Sequence, residues 1–477
     1  MVNANDRSTT RAVLALLMAS CGHPMLAGSP DAAALAGDAR ADARADAAPA
    51  PAATCVESGQ VDPFTPVAAT LTLPQDKGRI LACEHVETVT AAQLSANSVL
   101  AALGLTAANG YDHFIIQYVS EGPIGTARRV TASVYVPDGA AQQVTLVAVN
   151  HGTSGMGQPC GPSHDAAAAA DLDKLTLPAV SQGYAVVATD YQGMGVAGEP
   201  ISPYTVGHAE ALAILDGVRA MWQFHATQFD ASQLSRRLFL LGHSQGGQAT
   251  LFAHQDFDDS VGGQLLGSVS FAPAVGDERG YKYLLGTSAA PTNVAGVVLA
   301  MVLYGHAIYY GTATSSLLTD SAATALPQIL ASDCITDLDT AIPAAEPTIG
   351  QMFAPAFVAG AASCNLDGTA CPAFEPWNSE LLADEPGSFQ SAAPTLILQG
   401  GEDTTVPAPF TACIQARLAA QNPGAPDLAC LYATATHPTI VVAAMVDALG
   451  WMHSVAGGSA PFLCPQLVPL PAECAPL

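Results

Sequence analysis

The run RLFLLGHSQGGQATLF, Arg237 to Phe252, carries a serine, Ser244, out of an apolar β-type segment into a turn bounded by Gly242 and Gly246. Small, helix-compatible residues follow. A strand, a sharp turn and a helix in that order present one side chain outward and aim the first N–H groups of the helix at whatever that side chain attacks. Gly242 and Gly246 are read as positions where the turn leaves no room for a Cβ, and His243 completes the elbow. A serine hydroxyl is a poor nucleophile at its free pKa, so acyl-transfer chemistry also needs a base and a carboxylate that fixes the base's tautomer. Asp403, in GGEDTTVP just past the strand-like TLILQG, is the expected acid, and His437, directly after LACLYATAT, the expected base. Glu402 is expected to point away, and Asp427 precedes the next strand, at the wrong end. His453 is expected after a closing helix Thr439–Trp451, as a packing or surface residue. For the developing oxyanion the expected donors are the backbone N–H of Gln245 and of Thr153, in the His151-Gly152-Thr153 loop. His151 is read as bracing that loop. The remaining histidines, His85, His113, His164, His208, His225, His254 and His306, are read as surface or satisfied buried residues. A plain Gly-rich βα turn at Ser244 is the bland alternative.

The elements that must hold these groups can be read in order. DHFIIQYVSEGPIGTARRVTASVYVPDG gives two strand-like runs around a Gly-Pro turn, an opening antiparallel pair. QQVTLVAVNHG and GYAVVATDYQGMG are short β-branched runs ending in Gly-rich loops, with an Ala-rich crossover helix between them. YTVGHAEALAILDGVRAMWQF is a helix with Leu212, Leu215, Val218 and Trp222 on one face. RRLFLLG and LLGSVSFAPAVG continue the strands. Nearly continuous apolar strands alternating with helices predict an α/β fold with a mostly parallel sheet covered on both faces. In such sheets the chemistry lies beyond the C-terminal strand ends, where His151, Asp190 and Ser244 all fall. Between about Asp277 and Gln390 the rhythm breaks around VAGVVLAMVLYG, which is too short to span a bilayer. That stretch is read as a cap between the nucleophile and acid strands. The expected organisation is 1–21 export signal, 22–54 tether, 55–117 N-terminal extension, 118–276 first part of the core, 277–390 cap or lid, and 391–477 second part of the core.

Composition limits the partners. The 477 residues hold 15 Lys and Arg against 41 Asp and Glu, a formal charge of −26, which argues against nucleic acid because little could replace its counterions. Arg7 and Arg11 precede an apolar stretch from Ala12 to Ala19, the pattern of an export signal. Its end, Leu17-Met18-Ala19-Ser20-Cys21-Gly22, resembles a bacterial lipobox, so Cys21 is a candidate for acylation, with ordinary cleavage nearby as the rival. The Ala/Asp/Pro-rich segment that follows cannot bury enough apolar surface to offset its ordering entropy and reads as a flexible tether. Both features predict an exported protein, either secreted or a bacterial cell-surface or outer-membrane lipoprotein. Membrane contact is then expected only through Cys21 or through the cap. Of 11 cysteines, ten remain after Cys21, an even number suited to an oxidising compartment. Local pairing would give Cys55–Cys83, Cys364–Cys371, Cys413–Cys430 and Cys464–Cys474, leaving Cys160–Cys334, although spacing does not fix connectivity. No Cys-x-x-Cys pair occurs, so no metal site is expected.

These pieces in this order resemble the α/β-hydrolase superfamily. CGPS at Cys160–Ser163, GYAVVATDYQGMG, LDGVRA at Leu215–Ala220 and GHSQGG together resemble the secretory lipase family, through GGEDTTVP and the stretch from His437 to Trp451. The resemblance spans roughly Tyr118 to Gly457, with the cap poorly matched. It implies an α/β-hydrolase fold, hydrolysis of a carboxylic ester or triacylglycerol through an acyl-enzyme, no metal or cofactor, a mobile cap, and Ser244, Asp403 and His437 as the triad. The substrate is expected to be a small-molecule, lipid or polymeric ester. A serine peptidase, amidase or acyltransferase on the same fold, or a non-catalytic surface binder, are the other classes open to the sequence.

Overall fold

The computed structural model describes residues 52–139, 143–227, 229–275, 285, 289–364, 371–386, 391–421, 427–457 and 462–469. The expected export signal, Cys21 and most of the tether lie outside these residues. Ten strands form one sheet: β1 (Val56–Glu57), β2 (Ile80–Val89), β3 (Tyr111–Gly122), β4 (Thr126–Pro137), β5 (Val144–Asn150), β6 (Ala185–Thr189), β7 (Leu234–His243), β8 (Gln264–Phe271), β9 (Thr395–Gly400) and β10 (Leu428–Tyr432). Their order across the sheet is β1-β2-β3-β4-β6-β5-β7-β8-β9-β10. Pairing is antiparallel from β2 through β3 and β4 to β6, and parallel from β6 onward to β10.

The period of two along the strands sorts their side chains onto two faces. In β7, Leu238 and Leu240 join one core while Phe239 and Leu241 join the other; in β5, Leu146 and Ala148 divide in the same way from Val147 and Val149. The helices Gly207–Met221 and Gln245–Gln255 cover the first face, and Ala166–Ser181 and Ile440–Val455 the second. Each Leu, Val or Phe fully withdrawn from water here contributes roughly 1.5–3 kcal/mol, and that double burial explains why these strands read as unbroken apolar runs.

The sheet begins earlier in the chain than Tyr118. β1, β2 and the start of β3, all within the stretch read as an extension, are hydrogen-bonded into it. The sequence hides β2 because the later half of ILACEHVETV lies at a half-exposed margin and carries Glu84, Glu87 and His85 instead of an apolar run. The last helix, Ile440–Val455, runs past Trp451, so His453 sits exposed in its final turn and not after it.

Between β8 and β9 the described chain is helical: Val294–Tyr310, Asp320–Ser332, Ile335–Ala345, Trp377–Ala383 and shorter pieces enclose a third core that includes Val297, Met301, Leu326, Leu338 and Phe353. VAGVVLAMVLYG thus belongs to a helix packed within protein. Among the described residues no helix is long and apolar enough to cross a membrane.

Among the described residues four disulfides are present: Cys55–Cys83, Cys160–Cys334, Cys364–Cys371 and Cys430–Cys464. The last replaces the expected Cys413–Cys430 and Cys464–Cys474. Residues 462–469 fold back along the sheet edge, where Cys430 bridges to Leu467 and Leu431 N–H donates to the Gln466 carbonyl, so Cys464 arrives beside Cys430 with 5.2 Å between Cα atoms. Cys413 is buried on the helix Ala408–Gln421, and Cys474 lies outside the described residues. Four such bonds fit an oxidising compartment.

Candidate active site

Ser244 follows β7 directly and caps the helix Gln245–Gln255, with φ 57° and ψ −119°. A side chain at positive φ stores about 1–3 kcal/mol of strain, which the surroundings must hold. They do so with backbone bonds: Ser244 N–H donates to the Phe271 carbonyl at 2.9 Å, and the Ser244 carbonyl accepts from Gln248 N–H at 3.1 Å and Ala274 N–H at 3.0 Å. The two glycines are required by space. A Cβ on Gly242 would overlap the Gly246 carbonyl, and one on Gly246 would overlap the carbonyl of Asn150 at the end of β5.

Asp403 and His437 arrive from the loops after β9 and β10. His437 Nε2 lies 2.8 Å from Ser244 Oγ, and His437 Nδ1 lies 2.8 Å from Asp403 Oδ2. The other carboxylate oxygen, Oδ1, accepts the N–H groups of Thr405 at 2.9 Å and Val406 at 2.8 Å, which fixes the carboxylate plane. Gln399 ties down that loop by donating to the Val406 carbonyl at 2.9 Å. Such a chain can pass the serine proton to the imidazole while the carboxylate holds the Nδ1–H tautomer. Glu402 is exposed, and Asp427 accepts Thr395 N–H at 2.8 Å, so neither enters the group.

His243 has a part that its position in the elbow did not signal. It is buried, its ring lies 4.8 Å from that of His437, and its Nε2–H donates to the His437 carbonyl at 3.1 Å. Burial, then the neighbouring His437, pushes its pKa down to about 4, so the ring is a neutral brace at neutral pH. His151 is likewise buried, with its pKa pushed by burial to about 4; its Nδ1–H donates to the Gly152 carbonyl at 2.6 Å and its own carbonyl accepts from Tyr191 O–H at 3.0 Å. It braces the loop, as read. Asp190, which the sequence places at the same sheet edge, is bonded to Thr131 and Ser163. It accepts from Thr131 Oγ–H at 2.5 Å and from both the N–H, at 2.9 Å, and the hydroxyl of Ser163, and burial raises its pKa to about 6. It stitches the CGPS loop to the sheet.

Thr153 lines one cavity with Ser244, and neither Thr153 N–H nor Gln245 N–H is bonded to another described residue. Both therefore remain available to an acceptor placed beside Ser244. The cavity holds about 420 Å³ and is bordered by Tyr204, Val294, Val298 and Phe410 among others, with no Lys or Arg among the described residues that line it. Two of these come from the helix Val294–Tyr310, so the helical insertion supplies one wall. Among the described residues no group of three or more His, Cys, Asp or Glu side chains is arranged to hold a metal ion.

The sequence model of the Secretory lipase family matches residues 164–259, the stretch that ends in the Ser244 elbow and its helix. Lipase A of Moesziomyces aphidis is 26% identical over 202 residues, which cover 40% of this chain and 41% of that protein. Among solved structures, the rice cell wall degrading esterase LipA from Xanthomonas oryzae superposes with a TM-score of 0.61 at 20% identity, covering 80% of this chain and 97% of that one. Candida antarctica lipase A in its closed state gives 0.60 at 17%, covering 84% and 87%. The chain has the α/β-hydrolase fold and resembles the secretory lipases. Its likeness to these solved structures covers 80% and 84% of the chain, whereas the family model matches only residues 164–259.

The buried histidines of this protein link its stability to pH. His254, against Ser268, is pushed by burial from 6.5 to about 4. Between those values the unfolded chain takes up a proton that the folded one refuses, so this contribution to stability is complete above 6.5 and is lost as pH falls toward 4. His254→Gln removes the difference, and its melting temperature is expected to fall less steeply than the parent's between pH 6.5 and 4. Parallel melting curves for the two proteins would show that His254 titrates alike in both states.

Proposed function

We propose that this protein is a serine carboxylic ester hydrolase, an esterase or lipase, that works through an acyl-enzyme. The observation that carries the reading is the unbroken pair of 2.8 Å contacts from Ser244 Oγ through His437 to Asp403. Ser244 Oγ attacks the ester carbonyl carbon as His437 Nε2 takes its proton, and Asp403 stabilises the imidazolium that results. The tetrahedral oxyanion receives the N–H groups of Thr153 and Gln245, each donor of this kind being worth about 10²–10³ in rate. Collapse breaks the bond to the leaving alcohol, which takes the proton from His437. Water then repeats the attack on the acyl-serine and releases the acid.

The substrate fits an uncharged ester whose acyl group enters the cavity formed by Val294, Val298 and Phe410. The helical insertion acts as the cap over that group. The relatives point two ways, one being a lipase and another a cell wall degrading esterase, so chain-length preference is the property to measure. The same proposal places the enzyme outside the cytoplasm, secreted or held through an acylated Cys21.

A fluorophosphonate probe is expected to label the native protein at Ser244, read by mass spectrometry of the labelled peptide, and to spare heat-denatured protein. Absence of label from Ser244, or labelling that survives denaturation, would remove the activated serine and the reading with it. Rates on C4, C8 and C16 p-nitrophenyl esters and on an emulsified triglyceride then assign esterase or lipase.

A further inference from the structure

Thr153 brings more than its backbone N–H to the cavity. Its Oγ1 lies 2.6 Å from the phenolic oxygen of Tyr204, and Thr153, Tyr204 and Ser244 all line the same space. Two hydroxyls sharing one hydrogen bond have two protons between them, so one proton is left to point elsewhere. A phenol, with a pKa near 10, is far more acidic than an aliphatic alcohol and is the stronger donor. When Tyr204 donates, the Thr153 hydroxyl keeps its own proton to offer to an acceptor in the cavity.

The segment that carries this hydroxyl runs against the nucleophile. A Cβ placed on Gly152 would stand only 3.7 Å from the Cβ of Ser244, and Thr153 is the next residue. Tyr204 is itself held from two sides. Its N–H donates to the Ser202 carbonyl at 3.0 Å, and Gly305 of the helix Val294–Tyr310 packs so tightly on it that a Cβ there would come within 2.7 Å of Tyr204 N. The backbone of Tyr204 is thus fixed against the insertion, and the Thr153 hydroxyl is carried by the loop after β5.

We propose that the Thr153 hydroxyl is a third donor to the oxyanion, polarised by Tyr204, so that Thr153 is a catalytic residue through its side chain and Tyr204 a positioning residue acting through it. This rests on the ester-hydrolase reading above and adds to it. Hydrogen bonds in a chain strengthen one another, so Tyr204 O–H to Thr153 Oγ1 makes Thr153 O–H a better donor to a developing negative charge than to a neutral ester carbonyl. An interaction that grows with that charge lowers the barrier without tightening substrate binding, and its loss is read in kcat and not in KM.

Thr153→Val keeps the branched shape and the backbone N–H while removing the hydroxyl. On p-nitrophenyl butyrate its kcat is expected to fall at least tenfold, toward the roughly 10²-fold typical of a lost oxyanion donor, with KM within about threefold of the parent. Thr153→Ser, which keeps the hydroxyl, recovers most of that loss. Tyr204→Phe lowers kcat by a smaller factor in the parent and has no effect in the Thr153→Val background, because its influence passes through the missing oxygen. A smaller fall in Thr153→Val, a loss that Thr153→Ser shares, or a Tyr204→Phe effect of equal size in both backgrounds overturns the proposal. If Thr153→Val is not recovered folded, Tyr204→Phe decides alone: lowered kcat at unchanged KM supports the relay, and unchanged kcat overturns it. Parent protein labelled at Ser244 beside a fully active Thr153→Val would sink only the third donor, whereas a parent that resists labelling sinks the ester-hydrolase reading itself.

Discussion

Ser244→Ala is expected to lower kcat/KM for a short p-nitrophenyl ester by on the order of 10⁶, with the thermal midpoint unchanged. The size follows from the role proposed for the hydroxyl: without it no acyl-enzyme would form, and only water placed beside the proposed oxyanion donors would be left to react. Stability is spared because the backbone bonds that hold the turn, to Phe271, Gln248 and Ala274, use Ser244 N–H and carbonyl and not its side chain. His437→Ala costs a similar factor, yet adding it to Ser244→Ala costs almost nothing more, since a base without a nucleophile has no proton to take. Asp403→Asn is the informative third variant. Its amide oxygen can still accept from Thr405 and Val406 N–H, but the NH₂ then faces His437 Nδ1, favouring the tautomer with Nδ1 unprotonated and Nε2 carrying the proton. That form cannot accept the serine proton, and a loss of about 10⁴ follows with the loop geometry intact. Measured kcat/KM values for the three single variants and the double variant test the set. A Ser244→Ala protein that retained a hundredth of parental activity, or losses that multiplied in the double variant, would show that the groups do not act as one unit.

How far the sequence reveals this site depends on which contacts lie close along the chain. The elbow is local: strand, two glycines, serine and helix within a dozen or so residues, each required by space that the structure makes explicit at Gly242 and Gly246. That Asp403 and His437 lie together beside Ser244 is legible because parallel strands announce themselves as apolar runs and these residues follow the ends of two of them. The hidden features are non-local. Nothing near Tyr204 or Thr153 in sequence signals that their hydroxyls meet across 51 positions, and nothing in GHS tells that the His243 ring supports the backbone of His437. The one available hint at Tyr204 was its place just before a helix that follows a sheet strand, where loops converge on the active edge. The disulfides divide by the same logic. Cys55–Cys83 and Cys364–Cys371 are close along the chain, but Cys160–Cys334 is left over only if Cys413–Cys430 and Cys464–Cys474 are assumed, and Cys430–Cys464, which replaces them, depends on the tail folding back along β10. Likewise β2 is hidden in the sequence because a half-exposed strand is free to carry charge.

Gly246→Ala is expected to reduce both stability and turnover even though it adds a single methyl group to a helix. Alanine is the better helix former by about 1 kcal/mol, so propensity alone predicts a gain. Space predicts the opposite. The added carbon would overlap the Asn150 carbonyl and stand 2.6 Å from that of His151. Neither carbonyl can turn aside, because Asn150 sits in register between Thr189 and Gly242, and the His151 carbonyl is held by Tyr191 O–H. Either the helix Gln245–Gln255 lifts from the sheet or the loop after β5 retreats, at a cost of about 1–3 kcal/mol or more for overpacking. Both movements separate Gln245 N–H from Thr153 N–H, and a displacement of about 1 Å in a positioned group costs on the order of 10²-fold in rate. Gly450→Ala supplies the contrast. It lies exposed on the helix Ile440–Val455, where an added Cβ meets nothing within 4 Å, so propensity acts alone and stability rises by roughly 0.5–1 kcal/mol with turnover unchanged. Melting temperature and kcat for the two variants separate the effects: opposite signs in stability, with rate lost only at Gly246, mean that a close backbone approach sets the elbow, whereas a gain at both positions would mean that the turn has room the geometry denies.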